Sequence, residues 1–279
     1  MVAVPGALQV LTRLKHLDIG DNMIDHLESS SLQSLNNLVF LRLSGNPLMR
    51  LGPDSLPALS MLRTLDLSHC RLQSVERRSM DGLIGLELLL LDSNNLTSLE
   101  DVVSSLPSLV RLNVSDNDLR WFDYALLPTT VRHLDLHKNK IEELGNYLGL
   151  ETKLRLETLD ASDNRISFLG AASLPHGVRV ASFSDNLISV IEPNTFIHKA
   201  NLSRVDLYGN RLVTLNLNAL RLGPRPEKQD PPEFYLGGNP FQCDCDMGNH
   251  PPFASSNIPC IFVLSHLKSH SVVTYWTQS

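Results

Sequence analysis

A unit of about 24 residues recurs ten times along the chain, and nothing else constrains the fold as tightly. On the template LxxLxLxxNxL it reads LKHLDIGDNMI from Leu14, LVFLRLSGNPL from Leu38, LRTLDLSHCRL from Leu62 and LELLLLDSNNL from Leu86. It continues as LVRLNVSDNDL from Leu109, VRHLDLHKNKI from Val131, LETLDASDNRI from Leu156, VRVASFSDNLI from Val178 and LSRVDLYGNRL from Leu202. A degenerate copy, PEFYLGGNPF, starts at Pro232. The asparagine position falls at residues 22, 46, 70, 94, 117, 139, 164, 186, 210 and 239, with Cys70 in the third place. Such a period implies a stack of one repeated element. Fifty-three of the 279 residues are leucine, an excess that fits a core built from one unit many times over.

The chemistry of the unit explains its fixed letters. Successive residues of a strand point to opposite faces, so the leucines of LxL go inward and the residue between them faces out. One unit cannot bury its leucines alone, and stacking makes the core continuous. The asparagine stands where the chain turns away from the strand and leaves backbone groups unpaired. Its side-chain amide can accept and donate at once, and successive asparagines form a ladder. Cys70 reads as a small buried thiol on one rung. Beyond the asparagine, Ile24 is followed by Leu27, Leu32, Leu35 and Leu38, and Leu48 by Leu51, Leu56, Leu59 and Leu62. That shared spacing predicts a turn and then a short helical or irregular segment. The expected fold is an α/β leucine-rich repeat solenoid, a curved horseshoe with a parallel sheet on its concave face. Its first residues, with Leu8, Leu11 and Leu14 in the convex spacing, read as the second half of a repeat, so those leucines are expected to be exposed at an uncapped edge.

Charge narrows the function. Thirty acidic against 24 basic residues give a net charge of −6, which argues against nucleic acid as a partner. No run approaches the roughly 18 apolar residues of a membrane span, and no signal peptide is visible at the start. No GxxxxGK[ST], GxSxG, HExxH or strand-linked GxGxxG occurs, so neither an enzyme nor a cofactor is expected. Cys243, Cys245, His250 and Cys260 could in principle make a zinc site by their spacing, but no metal is expected. The outward position between the two strand leucines holds Asp18, Arg42, Asp66, Leu90, Asn113, Asp135, Asp160, Ser182, Asp206 and Tyr235, with Tyr208 two residues past Asp206. Five of these ten are acidic. They are candidate ligand-facing residues for a basic protein, although an aspartate is also ordinary in this repeat consensus. Asp135 and Asp160 are expected side by side, about 4.8 Å apart along the sheet. Asn95, Asn113 and Asn201 open N-x-[ST] sequons and are candidate glycosylation sites in a secreted protein.

The C-terminal part adds a resemblance. NPFQCDC is similar to the opening of the cysteine-rich C-terminal flanking module of extracellular leucine-rich repeat proteins. The longer string NRLVTLNLNALRLGPRPEKQDPPEFYLGGNPFQCDCDM resembles the insect long Toll receptors, the Tollo-like group, and LTRLKHLDIGDNMI and LVFLRLSGNPL resemble upstream repeats of the same block. The resemblance covers residues 7 to 247. It divides the chain into a repeat array over 1–242, the start of the flanking module at 243–247 and a divergent, disordered tail at 248–279. It implies an extracellular, membrane-anchored receptor glycoprotein that binds a protein ligand, a cystine-knot cytokine of the Spätzle type. Such receptors dimerise and signal through an intracellular TIR domain in immunity or development. The family module pairs the counterparts of Cys243 and Cys245 with two later cysteines. Such a disulfide-bonded cap explains the two cysteines better than a zinc site does. Here only Cys260 follows, so either the reading frame shifts near Met247 or the chain carries its own tail, as a soluble decoy form would. A leucine-rich repeat cell-adhesion or guidance protein remains the alternative from another class, and an intracellular phosphatase or GTPase scaffold a more distant one.

Overall fold

The computed structural model describes residues 1–99, 102–145, 153–224, 230–242 and 272–274. Ten three-residue strands form one parallel sheet in chain order. They are β1 (His16–Asp18), β2 (Phe40–Arg42), β3 (Thr64–Asp66), β4 (Leu88–Leu90), β5 (Arg111–Asn113), β6 (His133–Asp135), β7 (Thr158–Asp160), β8 (Val180–Ser182), β9 (Arg204–Asp206) and β10 (Glu233–Tyr235). An eleventh strand, β11 (Val272–Thr274), joins the β10 edge antiparallel. Each strand is the x-L-x centre of one repeat, and its middle residue points into the core. Leu41, Leu65, Leu89, Val205 and Phe234 are fully buried there. Each such side chain contributes about 1.5–3 kcal/mol relative to exposure.

Turns of one kind carry the chain off the sheet. The residue before every ladder position has a positive φ: Asp21, Gly45, His69, Ser93, Asp116, Lys138, Asp163, Asp185, Gly209 and Gly238 lie between +52° and +71°. The left-handed conformation reverses the chain at once and brings the next side chain beneath the loop. There the asparagine amide does what its chemistry predicts. Asn164 donates to the carbonyls of Ala161 in its own repeat and Leu136 in the one before, and accepts the N–H of Ile141 at 2.9 Å. Asn46, Asn94, Asn117, Asn139, Asn186, Asn210 and Asn239 repeat the pattern.

The convex side is less helical than an α/β description implies. Among the described residues its only α-helix is the four-residue Ser29–Leu32, and its other helical segments are short 3-10 turns such as Val103–Ser105, Tyr124–Leu126 and Ala171–Ser173. Few residues separate the turn from the next strand, and a segment so short cannot repay helix nucleation. Along the flank between sheet and convex side run three small parallel pairs. They join Arg50–Leu51 to Ser74–Val75, Trp121–Asp123 to Glu143–Gly145, and Phe168–Leu169 to Val190–Ile191.

At the start of the chain the expected exposure of three leucines holds for Leu11 alone, at 44%. Leu8 and Leu14 pack, half-buried, against the core, and Val4 joins it. The 3-10 turn Gly6–Val10 folds these residues back, and the Met1 carbonyl accepts the N–H of Met23. At the other end, the expected flanking module at 243–247 lies outside the described residues. So does the tail at 248–279, apart from strand β11.

Candidate concave interface

The strand register places the outward residues in one row. Asp18 pairs with Arg42, Arg42 with Asp66, Asp66 with Leu90, Leu90 with Asn113, Asn113 with Asp135, Asp135 with Asp160, Asp160 with Ser182, Ser182 with Asp206 and Asp206 with Tyr235. The row read from the sequence is therefore a physical one.

A structural task explains why aspartate recurs in it. One carboxylate oxygen of Asp18, Asp66, Asp135, Asp160 and Asp206 accepts the backbone N–H two residues on, at 2.9 to 3.1 Å. Asn113 does the same for Ser115 through its carbonyl. These bonds satisfy the donor freed where the strand turns, as Asx side chains do. The second oxygen of each carboxylate is left for other partners, and here the row divides into three sectors.

Near the N-terminal end, Arg42 lies among three carboxylates, 3.3 Å from Asp18, 2.8 Å from Asp21 and 3.7 Å from Asp66. At the C-terminal end, the Arg204 guanidinium is 3.1 Å from Asp206 and 4.1 Å over the Tyr235 ring, whose hydroxyl donates to Glu233. At both ends the aspartates of the row thus have an arginine within ion-pair distance. In the middle, Asp135 and Asp160 face each other in register, and neither forms an ion pair among the described residues. Burial holds the Asp135 carboxyl above the ordinary range, and the Asp160 charge adds to that effect. Burial likewise raises Asp92, whose oxygen accepts from the Asn113 amide at 3.2 Å. Asp116, by contrast, is lowered by its hydrogen bond to Lys138.

A shallow concavity of about 380 Å³ lies over this middle sector, its floor formed by β4 to β8. Besides the two aspartates it presents Leu88, Arg111, His133 and Val180. These four occupy the first strand position, a second outward row that inspection of the LxL interior passes over. His133 Nδ1 lies 2.8 Å from the Thr158 hydroxyl, which fixes its ring. The concavity combines apolar walls, one arginine and an acidic pair, and is too open to enclose a metabolite.

The other candidate residues scatter. Tyr208 is half-exposed past the end of β9 and outside the concavity. Asn95 and Asn201 are exposed on the loops after and before the sheet, while Asn113 sits in the row with its amide engaged on both sides. Cys243, Cys245 and Cys260, and with them the zinc alternative through His250, lie outside the described residues. Among the described residues no cluster of three metal-ligating side chains occurs, and no helix is long and apolar enough to cross a membrane. An apolar strip on the flank was not legible beforehand. Trp121, Phe168 and Val190 are each about half exposed on the small strand pairs.

A family model described as leucine rich repeat matches residues 4–48 and 60–119. Over 244 residues, 88% of its length, the chain is 45% identical to Toll-like receptor 7 of Drosophila melanogaster. The chain is a leucine-rich repeat array of the Toll-receptor kind. It spans 17% of that receptor's length. Podocan of Mus musculus is 30% identical over 79% of the chain, which spans 39% of podocan. Among solved structures, the leucine-rich repeat domain of APL1B shares the fold with a TM-score of 0.64 at 23% identity, covering 82% of this chain and 69% of that one. The structure of the Toll–Spatzle complex from Drosophila aligns with a TM-score of 0.53 at 28% identity, over 78% of this chain and 28% of that one. The array is therefore similar, over most of its length, to part of a Toll-type receptor.

Proposed function

We propose that the array binds an extracellular protein ligand with a basic surface, and that the ligand docks on the middle of the concave sheet. The carrying observation is the Asp135–Asp160 pair, which among the described residues has no ion-pair partner, whereas Asp18 and Asp66 share Arg42 and Asp206 has Arg204. A lysine or arginine inserted between them would relieve their repulsion and satisfy both free oxygens. Complementary charge also speeds encounter. The likeness to Toll in its complex with Spatzle supports a cystine-knot cytokine as the ligand class, with a role in innate immune or developmental signalling. The role is binding rather than catalysis. The 45% identity to a Toll-like receptor over most of the chain favours this reading over adhesion or guidance. Receptor pairing would use a separate surface, for which the Trp121–Phe168–Val190 flank is available.

The test is surface plasmon resonance of the full chain against a panel of recombinant cystine-knot cytokines at two salt concentrations. Binding should weaken with salt and fall at least tenfold in Asp135→Lys and Asp160→Lys, while Asp18→Lys leaves it within twofold. Binding insensitive to salt and to both middle-sector changes would overturn the concave reading.

A further inference from the structure

The last concave strand has an open side. Toward β9, Glu233 donates its N–H to the Ser203 carbonyl, and the Tyr235 carbonyl accepts from Leu207. Backbone groups of alternate residues face alternate sides of a strand, so the N–H and C=O of Phe234 point away from β9. Among the described residues no further repeat strand pairs with that side. Phe234 is nevertheless fully buried, and buried backbone groups need partners. The structure puts Val273 opposite Phe234, with Val272 on Tyr235 and Thr274 on Glu233, antiparallel.

We infer that residues 272–274 are a built-in stopper for the solenoid: they close the β10 edge in cis and so prevent strand addition from another molecule. Three features carry this. The register places one residue of the stopper, Val273, against the one residue of β10 whose backbone is bare. The direction is opposite to that of the ten repeat strands, so the added strand ends the ladder instead of continuing it. Val272, Val273 and Thr274 are all β-branched, which suits an extended conformation. A strand of three residues is also short enough to leave almost no new edge, one of the ways proteins blunt sheet ends. The β10 edge is thus covered by a strand from far along the chain.

The test is hydrogen exchange on the full chain under reducing conditions, read at the Phe234 amide, with the amides of Leu134 and Leu159 reporting an intact sheet. Val273→Pro removes the N–H that faces Phe234. It should speed exchange at Phe234 at least tenfold, leave Leu134 and Leu159 unchanged, and shift the protein toward dimers or larger species in light scattering. Removal of residues 271–279 should do the same, and the synthetic peptide SVVTY should restore protection when added to that truncated chain. An unprotected Phe234 amide in the unmodified chain, or equal protection in all three proteins, would overturn the inference.

Discussion

Cys70 donates its backbone N–H to Oδ1 of Asn94, one rung further on, at 3.0 Å, yet it has no carbonyl to offer the rung before it. The Asn94 oxygen accepts from Leu72 as well, and every other rung supplies the same acceptor to its predecessor. Leu48 therefore lacks the partner that Ile24 finds in Asn46. The thiol keeps part of the pattern by contacting the Leu43 carbonyl at 3.3 Å. Arg71, next in the chain, takes a φ of +61°, which its counterparts in the other repeats do not.

Cys70→Asn should therefore stabilise the array, by about 1 kcal/mol for the regained hydrogen bond. Asn186→Ala should do the opposite. It strips a buried acceptor from the Ile166 N–H and a donor from the Ala161 and Phe183 carbonyls, and should cost about 3 kcal/mol. Urea unfolding followed by circular dichroism measures both. A neutral Asn186→Ala would remove the ladder from the account of stability.

Cys70 should be inert in the folded protein. It is fully buried, and burial pushes its thiol up to about 11. The thiolate is the reactive form, so iodoacetamide at pH 8 should leave Cys70 unmodified in the native chain and alkylate it in denaturant. Peptide mapping by mass spectrometry distinguishes it from the other cysteines.

The Asp135 carboxyl, held above its ordinary range, makes the folded state less stable wherever it is ionised. That cost is fully present above the raised value and disappears as pH falls through it toward 3.8. Asp135→Asn keeps the acceptor for the His137 N–H and removes the charge facing Asp160. It should raise the melting temperature at pH 7 by roughly 1–2 °C, from about 0.5 kcal/mol for a like-charge neighbour, and the gain should vanish near pH 4. Asp116 has the opposite sign: lowered by Lys138, it supports the fold above the ordinary carboxylate range and loses that support on acidification.

Among the three sequons, Asn95 and Asn201 present exposed side chains, whereas the amide of Asn113 is bonded to Asp92 and Ser115 in the concave row. In chain secreted from insect cells, Asn95→Gln and Asn201→Gln should each remove one glycan's worth of mass. Asn113→Gln should leave the mass unchanged. A glycan on Asn113 would cover the middle sector and count against ligand docking there.

Much of this molecule is determined by local sequence. The period, the inward leucines, the asparagine ladder and the pairing of Asp135 with Asp160 all follow from a repeat in which each strand sits beside the equivalent strand of its neighbour. Even the left-handed turn has a signature that was there to be read. The position before the ladder residue holds Gly at 45, 209 and 238 and Asp at 21, 116, 163 and 185, residues that tolerate positive φ, and never a β-branched one. Other facts belong to the fold alone. Which aspartates are ion-paired depends on the reach of Arg42 and Arg204, and long side chains choose partners by geometry that spacing does not encode. The exposed Trp121 flank and the antiparallel closure of β10 likewise join residues from different repeats or from distant parts of the chain. Periodicity dictates what repeats from one unit to the next, whereas charge balance and edge closure are settled where the repetition breaks, by contacts that exist only once the units have stacked.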